Sequence, residues 1–193
     1  MSRKQSNREK SLGPISPADV PLEALPVVTL DREHIEKALE LAERRNDSYY
    51  AIDGGVVFGN RDALTSHQIG LLGELAVARL YGLSVDTTTY HRGDNGRDHH
   101  LFDAGIDVKA TATKKISRPE LLVRADKSLA SDLYIRAHVI DWTSSGARVR
   151  LIGCATREKV ESRTPRCHPG STKNYVVPPE EMDFLPLLRP TDG

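Results

Sequence analysis

The sequence predicts an α/β fold in which helices pack on a mixed β-sheet. Two stretches, 35–42 and 69–81, carry apolar residues at helical spacing. Downstream, runs rich in β-branched residues at 106–111, 121–125, 133–140 and 148–153 are separated by Gly, Ser, Asp and Pro, the pattern of short strands and turns. At 193 residues and 38% hydrophobic content, the chain is long enough for one domain with a sizeable core.

Taken in order, residues 1–28 mix Ser, Pro and charge without periodicity, and Arg3, Lys4, Arg8 and Lys10 against Glu9 make the start basic. They are expected to form a mobile tail. From Thr29 or Asp31 as N-cap, Ile35, Ala38, Leu39 and Ala42 define a helix to about Arg45 with one acidic face. Asp53-Gly54-Gly55 reads as a turn before a short strand at 56–58. Thr65-Ser66-His67-Gln68 has the form of a capping box, and the helix it opens should run to Tyr81 and stop at Gly82. Apolar residues surround that helix almost completely, so it must be buried. Its charged residues are Glu74 and Arg79, and a carboxylate inside an apolar helix is costly unless it is paired or meets a cation.

A hairpin follows, with strands at 98–102 and 106–111. Residues two apart on a strand share a face, so Asp107 and Lys109 stand side by side while Ile106 and Val108 enter the core. The acid and the base are expected on an exposed edge. A two-residue turn at Ala104-Gly105 would bring Asp98 to the same face, and a three-residue turn would flip it away. The tripeptide Asp107-Val108-Lys109 is the kind of match that about one chance occurrence would supply, and alone it reads as a salt-bridged solvent face. Its surroundings add weight, because Asp94 and Asp98 precede it. Converging carboxylates repel unless a proton or a divalent cation intervenes. Hard oxygen donors without a thiolate favour Mg²⁺ or Mn²⁺.

Strands at 121–125, 133–140 and 148–153 come next. Thr156 caps a short helix to Val160, and a last strand at 175–177 precedes a short amphipathic end at 182–188. Residues 29–188 are thus expected to form one domain, with 189–193 as a second tail. Two cysteines, Cys154 and Cys167, fit a reduced intracellular protein better than a disulfide scaffold. No apolar run approaches a membrane span and no signal segment opens the chain, so a membrane partner is not expected. Net charge is zero, yet residues 18–63 carry 5 basic and 10 acidic groups while residues 110–175 carry 13 basic and 6 acidic ones. The basic half is suited to face a polyanion.

Glu74 in Gly73-Glu74-Leu75-Ala76, then Gly93 to Asp98 and Ile106-Asp107-Val108-Lys109, together resemble the PD-(D/E)xK nuclease superfamily and its restriction-endonuclease-like core. The likeness covers roughly residues 65–160, and the order helix, hairpin, strands is similar to that of small members from prokaryotes and phages. The proline that names the motif is replaced by Arg97, which leaves Asp94 a rival to Asp98 as the first acid. The resemblance implies that Asp98 and Asp107 bind Mg²⁺ or Mn²⁺, that Glu74 supports the metal or its water, and that Lys109 positions the attacking water. It implies hydrolysis of a phosphodiester, with DNA favoured over RNA, in the cytoplasm of a prokaryotic cell or a phage-infected host. Lys127, Arg148, Arg150 and Arg157 are the expected phosphate contacts, and a homodimer is compatible with this reading. The competing class is a non-catalytic protein that keeps the fold to bind nucleic acid or a partner.

Overall fold

The computed structural model describes residues 15–50, 63–83, 99–101 and 104–186. Asp94, Asp98 and the turn and strand expected at 53–58 lie outside the described residues. The fold is mixed α/β, as expected. Its main sheet has five strands in the order β1 (Val27–Asp31), β6 (Gly146–Thr156), β5 (Leu133–Thr143), β3 (Ala104–Thr111) and β2 (His99–Leu101). β3 and β5 run parallel, and the other pairs are antiparallel. A second sheet joins β4 (Leu121–Arg124), β8 (Lys173–Val177) and β7 (Arg166–Cys167).

Helices α1 (Arg32–Tyr50) and α2 (Ala63–Tyr81) cover one face of the main sheet. α1 starts where Asp31 Oδ1 accepts the His34 amide at 3.3 Å, and it buries Ile35, Ala38, Leu41 and Ala42 at helical spacing. α2 begins two residues before the expected capping box and ends at Gly82, whose φ of 65° lets the Leu83 amide turn back onto the Ala78 carbonyl at 2.8 Å. As its all-round apolar pattern demanded, Ile69, Leu71, Leu72, Leu75, Ala76, Val77 and Ala78 are buried. Against the opposite face of the sheet lies a smaller cluster that includes Tyr134 and Ile152 of the main sheet and Leu121, Val123 and Val177 of the second.

The expected tail is shorter than 28 residues. Val27–Asp31 is an edge strand paired with β6, in the register Val28↔Val149 and Leu30↔Ala147, and it alternates exposed and buried side chains. Leu25 and Ser16 are buried as well. The run Val27-Val28-Thr29-Leu30 has strand character, but only its distant partner around Val149 gives it a place to form. β5 and β6 likewise extend beyond the expected 133–140 and 148–153, because they close on each other at Thr143↔Gly146. The short helix α3 (Arg157–Glu161) is capped by Thr156, whose hydroxyl accepts the Lys159 amide at 3.3 Å. Among the described residues no helix is long and apolar enough to cross a membrane.

The two cysteines have opposite surroundings. Both are free; Cys167 is exposed, whereas Cys154 is buried and its thiol donates to the Phe184 carbonyl at 3.3 Å. Burial, with the Asp183 carboxylate beside it, pushes the Cys154 thiol up to about 12. Since the thiolate is the nucleophile, a colourimetric disulfide reagent at mildly alkaline pH should titrate one thiol in the native protein and two in denaturant. Two rapid thiols in the native state would contradict the burial.

Candidate active site

The candidate site is built on β3, and its start is clamped. Asp132 accepts the Gly105 amide at 2.9 Å and returns its own amide to the Gly105 carbonyl at 2.8 Å. Arg157 Nη2 holds the same carboxylate at 2.6 Å, while its Nε donates to the Ser131 carbonyl at 3.0 Å. This network fixes the N-terminal end of β3 against β5 and α3. The antiparallel pairs His99↔Ile106, His100↔Gly105 and Leu101↔Ala104 set the hairpin. Ala104 and Gly105, expected as the turn, therefore already belong to β3.

Alternation along β3 then separates two faces. Ile106 and Val108 join the core under α2. Asp107 and Lys109 point the other way and meet, Lys109 Nζ standing 2.6 Å from Asp107 Oδ2. The expected pairing is present, but the expected exposure is not. Asp107 is only 6% exposed, because β3 is flanked by β2 and β5 instead of forming an edge. The Lys109 side chain keeps 35% exposure, so the pair is a buried carboxylate tied to an ammonium that reaches solvent.

The parallel register supplies neighbours that the linear sequence did not suggest. Asp107 lies beside Tyr134, Lys109 beside Arg136 and Thr111 beside His138. Burial pushes the Tyr134 phenol up, and the Asp107 charge pushes it the same way. Arg136 is 6% exposed and donates from Nη1 to the Lys109 carbonyl at 2.9 Å. Burial lowers it to about 10, so it stays protonated at neutral pH. The signal for these residues was the alternation Tyr134, Arg136, His138 inside an otherwise apolar strand, which marks a second, polar face.

Glu74 is buried in α2 at 6% exposure. Its neighbour Gly73 abuts β3: a Cβ there would stand 2.7 Å from Ala110 Cβ and 3.3 Å from Val108 Cγ1. α2 thus packs on the face of β3 opposite Asp107 and Lys109, and Glu74 is the residue next to that contact. Among the described residues no three or more His, Cys, Asp or Glu side chains gather as a metal-binding group. Within them, the site's own contribution to a cation is the Asp107 carboxylate, a hard oxygen donor suited to Mg²⁺ or Mn²⁺.

The four expected phosphate contacts differ. Lys127 is exposed. Arg148 is exposed but forked onto Asp141, with Nε 2.9 Å from Oδ2. Arg150 is half-buried. Arg157 is taken by the Asp132 clamp and by the Ser131 and Ala130 carbonyls, so its first role is to hold β3 and α3 together. Replacing Arg157 with alanine should therefore lower thermal stability, and an unchanged melting temperature would return it to the surface group. No protein-family model, curated protein or solved structure matches the chain.

Proposed function

We propose that the protein is a divalent-metal-dependent nuclease with a restriction-endonuclease-like core, hydrolysing phosphodiester bonds of DNA. The observation that carries this reading is the contact of Asp107 with Lys109, on a strand clamped at its start and backed by a packed helix bearing a buried Glu74. Asp98 is one peptide bond from His99, the register partner of Ile106, and so enters the reading through chain connectivity. Asp107 and Asp98, with Asp94 as rival, would hold Mg²⁺ or Mn²⁺. When bound, that ion would supply an activated water and neutralise charge on the phosphate.

The chain's own residues would then do the remaining work. The Lys109 ammonium, kept at the solvent boundary by Asp107, would orient the water and steady the developing oxyanion. Arg136 would fix the Lys109 backbone through its bond to the carbonyl. Glu74→Gln, which keeps volume and removes charge, should depress cleavage while leaving the far-ultraviolet dichroism unchanged.

Incubating the protein with Mg²⁺ or Mn²⁺ and linear, nicked, branched and single-stranded DNA, and with RNA, tests the proposal. Cleavage of at least one DNA class that stops with EDTA is the expected result. No cleavage of any substrate, with binding retained, would favour the non-catalytic nucleic-acid-binding alternative. The docking surface is tested separately in Ca²⁺, where log affinity is followed against log salt. Each phosphate interaction removed by Lys127→Ala, Arg148→Ala or Arg150→Ala should reduce the slope by about 0.9 on duplex DNA. Unchanged slopes would remove these residues from the interface.

A further inference from the structure

Burying an N–H without an acceptor is costly, so such groups are rare and their placement is informative. Among the described residues, five buried side-chain nitrogens lack a partner: Arg118 Nε, Arg136 Nε, His138 Nδ1, Arg150 Nε and Arg163 Nε. Two belong to residues outside the main sheet, Arg118, which bonds the Val20 carbonyl, and Arg163, which pairs with Glu181. The other three form a row on one face of the main sheet. Arg136 and His138 are two residues apart on β5, and His138 is the register partner of Arg150 on β6. On the other side, Arg136 is the register partner of Lys109.

Among the described residues the row is also short of counter-charge. Asp107 is held by Lys109, and Asp141 is held by Arg148. Glu120, the acid whose charge Arg136 feels, is already bonded to His168 Nε2 at 2.7 Å and to Arg166 Nη2 at 3.3 Å. A buried guanidinium without a direct carboxylate partner is poorly compensated. His138 donates from Nε2 to the Thr113 carbonyl, 2.7 Å away, since a carbonyl can only accept. Its Nδ1 is then a lone pair in the neutral ring and a donor once the ring is protonated. The Arg136 and Arg150 Nε–H groups suit one kind of missing partner, an oxyanion, and a protonated His138 ring would add a third donor beside them.

We infer that Arg136, His138 and Arg150 form a site for a phosphate oxyanion beside the Asp107–Lys109 pair, filled by a backbone phosphate of the nucleic-acid strand next to the one being cleaved. The unpartnered nitrogens are what the packing shows, while the identity of their occupant rests on the nuclease reading. Arg150 is half-buried, and Arg136 is buried and in contact with the Lys109 backbone. Filling the site would couple substrate binding to the position of Lys109. The guanidinium planes match phosphate oxygens through paired N–H groups, which a lysine at either place would not reproduce.

The test uses the whole protein, labelled with ¹⁵N and free of divalent metal, and follows the arginine Nε–Hε resonances, which need no substitution to be read. Inorganic phosphate and a short DNA duplex are titrated separately, each against sodium chloride at the same ionic strength. Arg136→Lys and Arg150→Lys assign the signals. Saturable movement of both signals with the duplex is the expected result, with duplex affinity reduced about tenfold or more in Arg136→Lys. If Arg136→Lys fails to fold, Arg150→Lys and His138→Gln carry the affinity comparison. Movement with phosphate while the duplex leaves the signals still would overturn the strand-phosphate assignment and identify a free-phosphate site. No movement beyond the chloride control with either probe would overturn the site itself. The nuclease reading fails by a different route: a protein that shows these shifts but cleaves nothing keeps the anion site and loses the reaction.

Discussion

Asp107→Asn is expected to reduce cleavage by about a thousandfold, the order that removing one essential charge-stabilising group costs an enzyme. Asparagine keeps the size of the side chain at a position that is 6% exposed, so packing against Tyr134 and its neighbours is retained. What it removes is the negative charge that holds the Lys109 ammonium at 2.6 Å and that would ligate the metal. Lys109 reaches solvent, and its ammonium can be hydrated there, so the metal-free variant should stay folded with its melting temperature changed far less than its activity. Lys109→Met probes the other partner. It leaves the Asp107 carboxylate buried without its cation, which is costly, and the variant should lose both activity and stability. A large fall in stability for both variants, with no cleavage by the wild type, would mark the pair as a structural ion pair alone.

A pair of glycine substitutions in one helix should move stability in opposite directions. At Gly73 a Cβ would come within 2.7 Å of Ala110 Cβ and 3.3 Å of Ala137 Cβ, and neither neighbour is a flexible chain end that can turn aside. Gly73→Val should therefore cost about 1–3 kcal/mol or more through overpacking, about 2–4 °C in melting temperature for each kcal/mol. It should also push α2 away from β3 and displace Glu74 with it, so that activity falls beyond what the stability loss explains. At Gly70 nothing lies within 4 Å of where a Cβ would stand, and alanine there should stabilise the helix by about 0.5–1 kcal/mol. Thermal unfolding of both variants checks this contrast. Equal and small effects would show that α2 does not press on β3 through Gly73.

What the sequence made legible was local. The all-round apolar pattern of α2, its stop at Gly82, the Asp31 cap of α1 and the shared face of Asp107 and Lys109 each depend on residues a few positions apart. The burial of Asp107 depends instead on which strands flank β3, and a parallel partner beginning at Leu133 has no local signature at residue 107. β1 was hidden for the same reason, since Val28 and Leu30 acquire a core only through Val149 and Ala147. Arg157 read as one more cation in a basic half because its acceptors, Asp132 and two carbonyls, are 25 to 27 residues away. Arg136 was passed over within a hydrophobic strand, although its spacing from Tyr134 and His138 was the cue to a polar face.

The Asp107 carboxylate either serves a divalent cation or is merely the anion of a salt bridge, and the nuclease reading stands on the first. Isothermal titration of Mn²⁺ into the metal-free protein, for the wild type and for Asp107→Asn, separates the two without requiring a substrate. A saturable heat is expected for the wild type and should disappear in the variant, while both proteins show the same folded dichroism. Equal Mn²⁺ binding by the two proteins, or none by either, would contradict the cation role.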